Sequence, residues 1–261
     1  MGPFIIRQSP LSFPELVGFV SRSVIAVAVG TGMDDAPNII GTGFAVEFSE
    51  YFATCWHVAR AHDQLTALPP QELASAGLKD AKLRIALPTG TSYIWRELEN
   101  FTWLRGKSEQ LDTCIFRLVG IALPPLILHK EDFVLGAEIG VLGFPLGNSL
   151  QGSALRPIAL KNVLAGAIDP TPANRLPAGK AILGSSVAGG FSGSPVFSAT
   201  EGTVMGMVAS NPLEVRTEGT WPAGVSLAVL PMDIQQVLMQ GVETTNRTIK
   251  DALRSHLGKK P

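Results

Sequence analysis

Apolar residues along this chain come in short runs separated by glycine, proline and polar turn residues, and helical spacing is rare. Strands are therefore expected at 23–30, 41–48, 51–55, 82–87, 92–98 and 112–118. A second set is expected at 138–144, 156–168, 180–185, 194–198, 203–210 and 223–230. Six short strands in each half predict an all-β fold of two six-stranded antiparallel barrels with short terminal helices. Between the sets, Pro124 and Pro125 block regular structure within 120–137 and mark a boundary. The organisation read from this is an arm and helix at 1–20, barrels at 21–122 and 123–240, and a tail at 241–261. Helices are expected at 13–23, 55–62 and 231–240; in the last, Pro231 leads and Ile234, Val237 and Leu238 share a face. The stretch 244–257 reads as an amphipathic terminal helix.

Composition narrows the classes. Of 261 residues, 46% are apolar and only 16% charged, against roughly 25% in an average globular chain. The 27 glycines and 19 prolines suit strands joined by turns. A net charge of −1 leaves no electrostatic footprint for nucleic acid, and the basic residues near the C-terminus read as a solvated helix face. No apolar run approaches the roughly 20 residues that span a bilayer, and no secretory signal pattern opens the chain. A cytoplasmic protein without a membrane partner is expected. Two cysteines, Cys55 and Cys114, are too few for a disulfide framework or a structural zinc site.

One stretch invites chemistry. In "AGGFSGSPVF" (188–197), Ser192 is boxed by glycines and leads into a proline and a β-type run, unlike a flexible linker. A serine hydroxyl needs an adjacent base to act as a nucleophile. Of the four histidines, His129 follows the proline-rich connector, His256 sits in the polar tail and His62 is expected to be solvated. His57 instead ends "FATCWHVA", where a buried strand leads directly into it. Asp112 opens the largely apolar "DTCIFRL" and is either a turn residue or the group that orients an imidazole. Asp63, Asp80 and Asp132 read as solvated acids. The order His57, Asp112, Ser192 differs from the serine, acid, histidine order of α/β-hydrolases, whose G-x-S-x-G pattern also fails at Ser194.

These segments resemble a known family. "GTGFAVEF…YFATCWHVA", "LDTCIFRL" and "GGFSGSPVF" look like the three motif strands of trypsin-like peptidases of the HtrA/Deg and glutamyl endopeptidase groups. "VLGFPLG" (141–147) and "GVSLAVLPMDIQQVL" (224–238) resemble the second barrel and closing helix of the HtrA group, though nothing resembling a PDZ domain follows. The resemblance implies a chymotrypsin-like double barrel and a serine endopeptidase with a His57, Asp112 and Ser192 triad. It implies an oxyanion hole of the Gly190 and Ser192 N–H groups, a polypeptide substrate, and no metal or cofactor. By the same likeness the primary pocket is walled by Ser186, Val187, Val208 and Val225, while Ala209, Ser210 and Asn211 pair with substrate backbone. None of these is charged, so small or medium neutral side chains are expected before the cleaved bond. The competing reading is a protease-like module that binds extended peptides without cutting them.

Three positions depart from the family pattern. Phe191 stands where zymogen-activated trypsins carry an aspartate, and Val208 where glutamyl endopeptidases carry a histidine. Ala209 replaces a serine that supports the triad aspartate in many trypsin-like enzymes, so Asp112 needs another donor or does with one fewer. Cys55 and Cys114 flank the motifs and are either close together beneath the triad or separate core residues.

Overall fold

A computed structural model describes residues 11–99, 101–105, 111–130, 134–145, 155–168, 180–210, 225–240 and 242–245. Seven strands follow one another in the first half: β1 (Val24–Gly32), β2 (Pro37–Val46), β3 (Phe48–Thr54), β4 (Leu78–Thr89), β5 (Ser92–Glu97), β6 (Thr102–Arg105) and β7 (Cys114–Arg117). Six more form the second half: β8 (Glu138–Gly143), β9 (Ile158–Ile168), β10 (Lys180–Leu183), β11 (Pro195–Ser198), β12 (Val204–Ser210) and β13 (Ser226–Val229). A last strand, β14 (Val242–Thr245), returns to the first sheet. The second sheet closes as an antiparallel barrel in the order β10-β13-β12-β11-β8-β9. All six of its strands fall where the apolar runs place them. The first sheet runs β14-β6-β7-β3-β2-β1-β4-β5.

The helices are α1 (Phe13–Val20), α2 (Trp56–Thr66), α3 (Pro70–Ser75) and the closing helix α4 (Pro231–Gln240). Leu16 and Val20 of α1, four apart on one face, are buried; so are Ile234 and Val237 of α4. Helix α4 lies against β12 of the barrel and against β6 and β7 of the first sheet, so it ties the two halves together. Among the described residues no helix is long and apolar enough to cross a membrane.

Burial follows the pattern of each strand. The unbroken apolar run Val24 to Val29 is buried on both faces of β1, whereas β9 alternates and keeps one face wet. The first core is dominated by aromatic pairs: Phe52 stacks on Phe116 at 5.6 Å, and Trp103 meets Phe116 edge-on at 5.2 Å.

Four features differ from the sequence-based expectation, namely the unannounced helix α3, strand β6, the stretch 242–245 and His62, and with β6 and β14 the first sheet has eight strands where six were expected. β6 is only four residues long and lacks alternation, so nothing in its pattern announces it. The stretch 242–245 is a strand paired with β6, because Val242, Thr244 and Thr245 are β-branched and β6 offers a free edge. The remainder of the helix expected at 244–257 lies outside the described residues. His62 is buried, not solvated: its ring packs edge-on against Phe101 at 5.5 Å and Nδ1 lies 3.3 Å from Asp63 Oδ1.

Candidate active site

The β3–β7 ladder pairs Thr54 with Cys114, which sets the end of β3 beside the turn that precedes β7. Cys55 is the N-cap of α2, in extended conformation (φ −72°, ψ 146°), and His57 follows in the first helical turn. Across the ladder Asp112 sits in the left-handed region, at φ +47°, a conformation that aspartate tolerates better than most residues. It is therefore a turn residue, and strand alternation with Cys114 does not extend to it. The turn aims its carboxylate at the histidine. Both oxygens lie 3.0 Å from His57 Nδ1, and the His57 backbone N–H donates to Oδ1 at 3.1 Å. A carboxylate only accepts, so Nδ1 carries the proton and Nε2 is left as the basic nitrogen. The His57 side chain is 48% exposed and that of Asp112 24%, so the ring is open to an incoming molecule while its partner is sheltered.

The serine loop is held from two sides. Gly190 (φ +91°) and Gly193 (φ +86°) adopt backbone that L-residues resist, and a Cβ at 193 would collide with the Thr42 carbonyl. Within the loop Ser194 N–H donates to the Phe191 carbonyl (2.8 Å), while Gly193 N–H donates to the Val208 carbonyl (2.8 Å). Phe191, 2% exposed, inserts its ring into the barrel core with Val141, Val187 and Val208. The position that could have held an activating aspartate thus holds an apolar anchor.

Thr42 supplies the other clamp, and the sequence reading did not single it out. Its N–H donates to the Ser192 carbonyl (2.8 Å) and its hydroxyl donates to the Gly190 carbonyl (3.0 Å). The same hydroxyl accepts from the Phe144 N–H at 3.0 Å, and the Thr42 carbonyl accepts from Thr54 Oγ1 at 2.7 Å. Two loop carbonyls are so turned toward the first sheet. Among the described residues the N–H groups of Gly190 and Ser192 have no protein acceptor. Nor does a hydrogen bond join Ser192 Oγ to His57 among those residues; apo sites often hold this pair apart until substrate arrives.

Close to the pair lie Cys55, two residues before His57, and Lys180, whose Nζ reaches the Leu111 carbonyl next to Asp112. Both cysteines are free and buried, and burial pushes both thiols up, so they are protonated core residues and not a disulfide. Cys55 Sγ donates to the Val208 carbonyl at 3.1 Å. Ligating atoms of Cys55, His57 and Asp112 lie within 4.8 Å of one another. In this arrangement His57 Nδ1 and the Asp112 carboxylate are hydrogen-bonded to each other, and Cys55 Sγ to the Val208 carbonyl. Ala209 is buried and offers no hydroxyl to Asp112.

The remaining expected residues are placed as follows. Val187 and Val208 are both buried in the barrel core, and Val187 N–H donates to Ser226 Oγ at 2.9 Å. Ser186 is exposed and Val225 half-buried. The Ser210 side chain and Asn211 lie outside the described residues.

A closed barrel, a partner sheet, and a serine loop clamped to that sheet through Thr42 are the architecture of trypsin-like serine proteases. A family model for the trypsin-like peptidase domain matches residues 41–207, and the chain belongs to that family. No curated protein matches it. Among solved structures it is similar to the active form of the Rv3671c protease from M. tuberculosis. The two are 18% identical, with 94% of this chain and 92% of that chain covered, at a TM-score of 0.59. A serine-to-alanine mutant of Rv3671c in its inactive form matches at 18% identity and TM-score 0.56, over 89% of this chain and 94% of that one. The inactive form of the Rv3671c protease matches at 17% and 0.54, over 89% and 97%. At these identities the likeness is one of fold.

Proposed function

We propose that this chain is an active serine endopeptidase with Ser192 as nucleophile, His57 as general base and Asp112 as the group that orients it. The observation that carries the reading is the His57 Nδ1 contact to both Asp112 oxygens at 3.0 Å, together with a serine loop whose Gly190 and Ser192 N–H groups have no protein acceptor among the described residues. Ser192 Oγ attacks the scissile carbonyl and its proton passes to His57 Nε2. Asp112 holds the imidazole in the right tautomer and stabilises the imidazolium. The Gly190 and Ser192 N–H groups receive the oxyanion; one such donor is worth about 3 kcal/mol in the transition state. His57 then protonates the leaving amine, the acyl group stays on Ser192, and water activated by His57 releases it. A serine-directed fluorophosphonate tests this: it labels the wild type and not Ser192→Ala.

Polypeptides with small or medium neutral side chains before the cleaved bond are the proposed substrates. Apolar Val187, Val208 and Val225 support this, because a charged side chain among them would be buried without a partner, at a cost of several kcal/mol. Profiling with a peptide library is expected to return Val, Ala, Leu or Thr with modest discrimination. A dominant preference for Arg, Lys or Glu would overturn the pocket assignment and leave the triad standing.

Thr42→Val removes the hydroxyl that bridges the Gly190 carbonyl and the Phe144 N–H, and leaves both without that partner. Each stranded group costs about 1–3 kcal/mol. Urea unfolding should register a loss of about 2 kcal/mol or more, and kcat should fall by about 10- to 100-fold with KM little changed. A variant as active as wild type would mean that the clamp does not position the loop.

A further inference from the structure

Lys180 is the one buried lysine among the described residues, and the reaction outlined above does not use it. It opens β10 with its side chain directed inward, 5% exposed, and Nζ reaches the carbonyl of Leu111 at 3.4 Å. That carbonyl belongs to the peptide joining Leu111 to Asp112, the residue held at φ +47°. Three ionisable groups are close enough to act on the ammonium electrostatically: Asp112 from the turn before β7, Asp233 from the first turn of α4, and Cys55 from the start of α2. Asp233 is itself 8% exposed, and its Oδ2 is buried with no hydrogen-bond partner among the described residues. A buried lysine is costly unless neighbours compensate its charge. Burial pulls Lys180 below its usual range while Asp112 and Asp233 oppose that; burial pushes Asp233 above the usual carboxylate range while Lys180 opposes it. Asp63 and Arg105 lie one layer further out, around Cys114.

We infer that Lys180 is a positioning residue for the proposed triad, its ammonium pinning the Leu111–Asp112 peptide and offsetting the Asp112 charge, with the Asp233 carboxylate on the closing helix as a nearby counter-charge to the ammonium. The inference rests on the endopeptidase reading. It gives Asp112 a second support where Ala209 provides none. It also links the closing helix to the triad: α4 carries Asp233, β10 carries Lys180 and the turn before β7 carries Asp112.

The test is the pH profile of kcat/KM for Lys180→Met, Lys180→Arg and Asp233→Asn. A cation beside Asp112 offsets the carboxylate charge that favours the imidazolium, so its removal moves the acid limb to higher pH. Lys180→Met is expected to show that displacement together with a drop in kcat of about 10-fold or more. Lys180→Arg keeps the charge and restores the limb to its wild-type position. Asp233→Asn removes an anion and moves the limb the opposite way, to lower pH. A role confined to stability would lower the unfolding midpoint in each variant and leave the limb where it is. If Lys180→Met fails to fold, Asp233→Asn still decides the matter, because an undisplaced limb in that variant overturns the inference. A wild type that no fluorophosphonate labels would sink the endopeptidase reading itself. A labelled, active wild type with undisplaced limbs in its variants would sink only the role of Lys180.

Discussion

His57→Ala and Ser192→Ala each lower peptide hydrolysis by roughly 10⁴-fold or more, and the double variant is scarcely slower than either single one. The non-additivity follows from the chemistry. Without the base the hydroxyl stays protonated, and without the hydroxyl the base has nothing to deprotonate, so the second deletion removes what the first had already disabled. Residual rate in all three comes from substrate positioning and the two loop N–H groups. Neither side chain is part of a core: His57 is largely exposed and Ser192 half-buried, so thermal midpoints should stay near wild type. Steady-state kinetics on the three variants checks this. Losses that multiply in the double variant would separate the two residues and defeat the triad assignment.

Phe191→Ala has the largest expected effect on stability. The ring is 2% exposed and packs among Val141, Val187 and Val208, so its removal opens a cavity in the barrel core. Deleting a buried phenylalanine ring costs about 3–5 kcal/mol. The loss also bears on activity, because the residue beside Phe191 is the proposed nucleophile. A loop that has lost its anchor retains only the Thr42 and Val208 hydrogen bonds on its far side. Urea unfolding should show the full destabilisation, and fluorophosphonate labelling should slow even where the protein is fully folded. Phe191→Leu fills most of the space and should recover most of both. Labelling at the wild-type rate in folded Phe191→Ala would mean that the Thr42 and Val208 hydrogen bonds suffice to seat the loop.

The parts legible in the sequence are those written into local pattern. Each strand of the second barrel is an apolar run bounded by turn residues, and each falls where it was expected. His57 and Asp112 were legible as a pair because each sits at the end of such a run, and the ladder between β3 and β7 brings the run ends together. What escaped is what distant segments make jointly. The Thr42 hydroxyl meets Gly190 and Phe144 across 148 and 102 residues of chain, and nothing around Thr42 announces either partner. Lys180 reads as an ordinary strand lysine until the Leu111 turn and α4 close over it. His62 was expected in solvent because it reads as lying just past a short helix, yet α2 runs on to Thr66 and sets its ring against Phe101. The departure at Phe191 was visible as a missing charge, and only packing reveals what the aromatic ring does instead.

The central claim is that Ser192 is an activated nucleophile. Intact-mass measurement after incubation with a fluorophosphonate tests it most directly, on folded wild type and on Ser192→Ala and His57→Ala. One adduct on wild type, localised by peptide mapping to Ser192, with none on Ser192→Ala and a greatly slowed reaction on His57→Ala, is the result expected. Well-folded wild type that takes up no label, or label that persists on Ser192→Ala, would contradict the account.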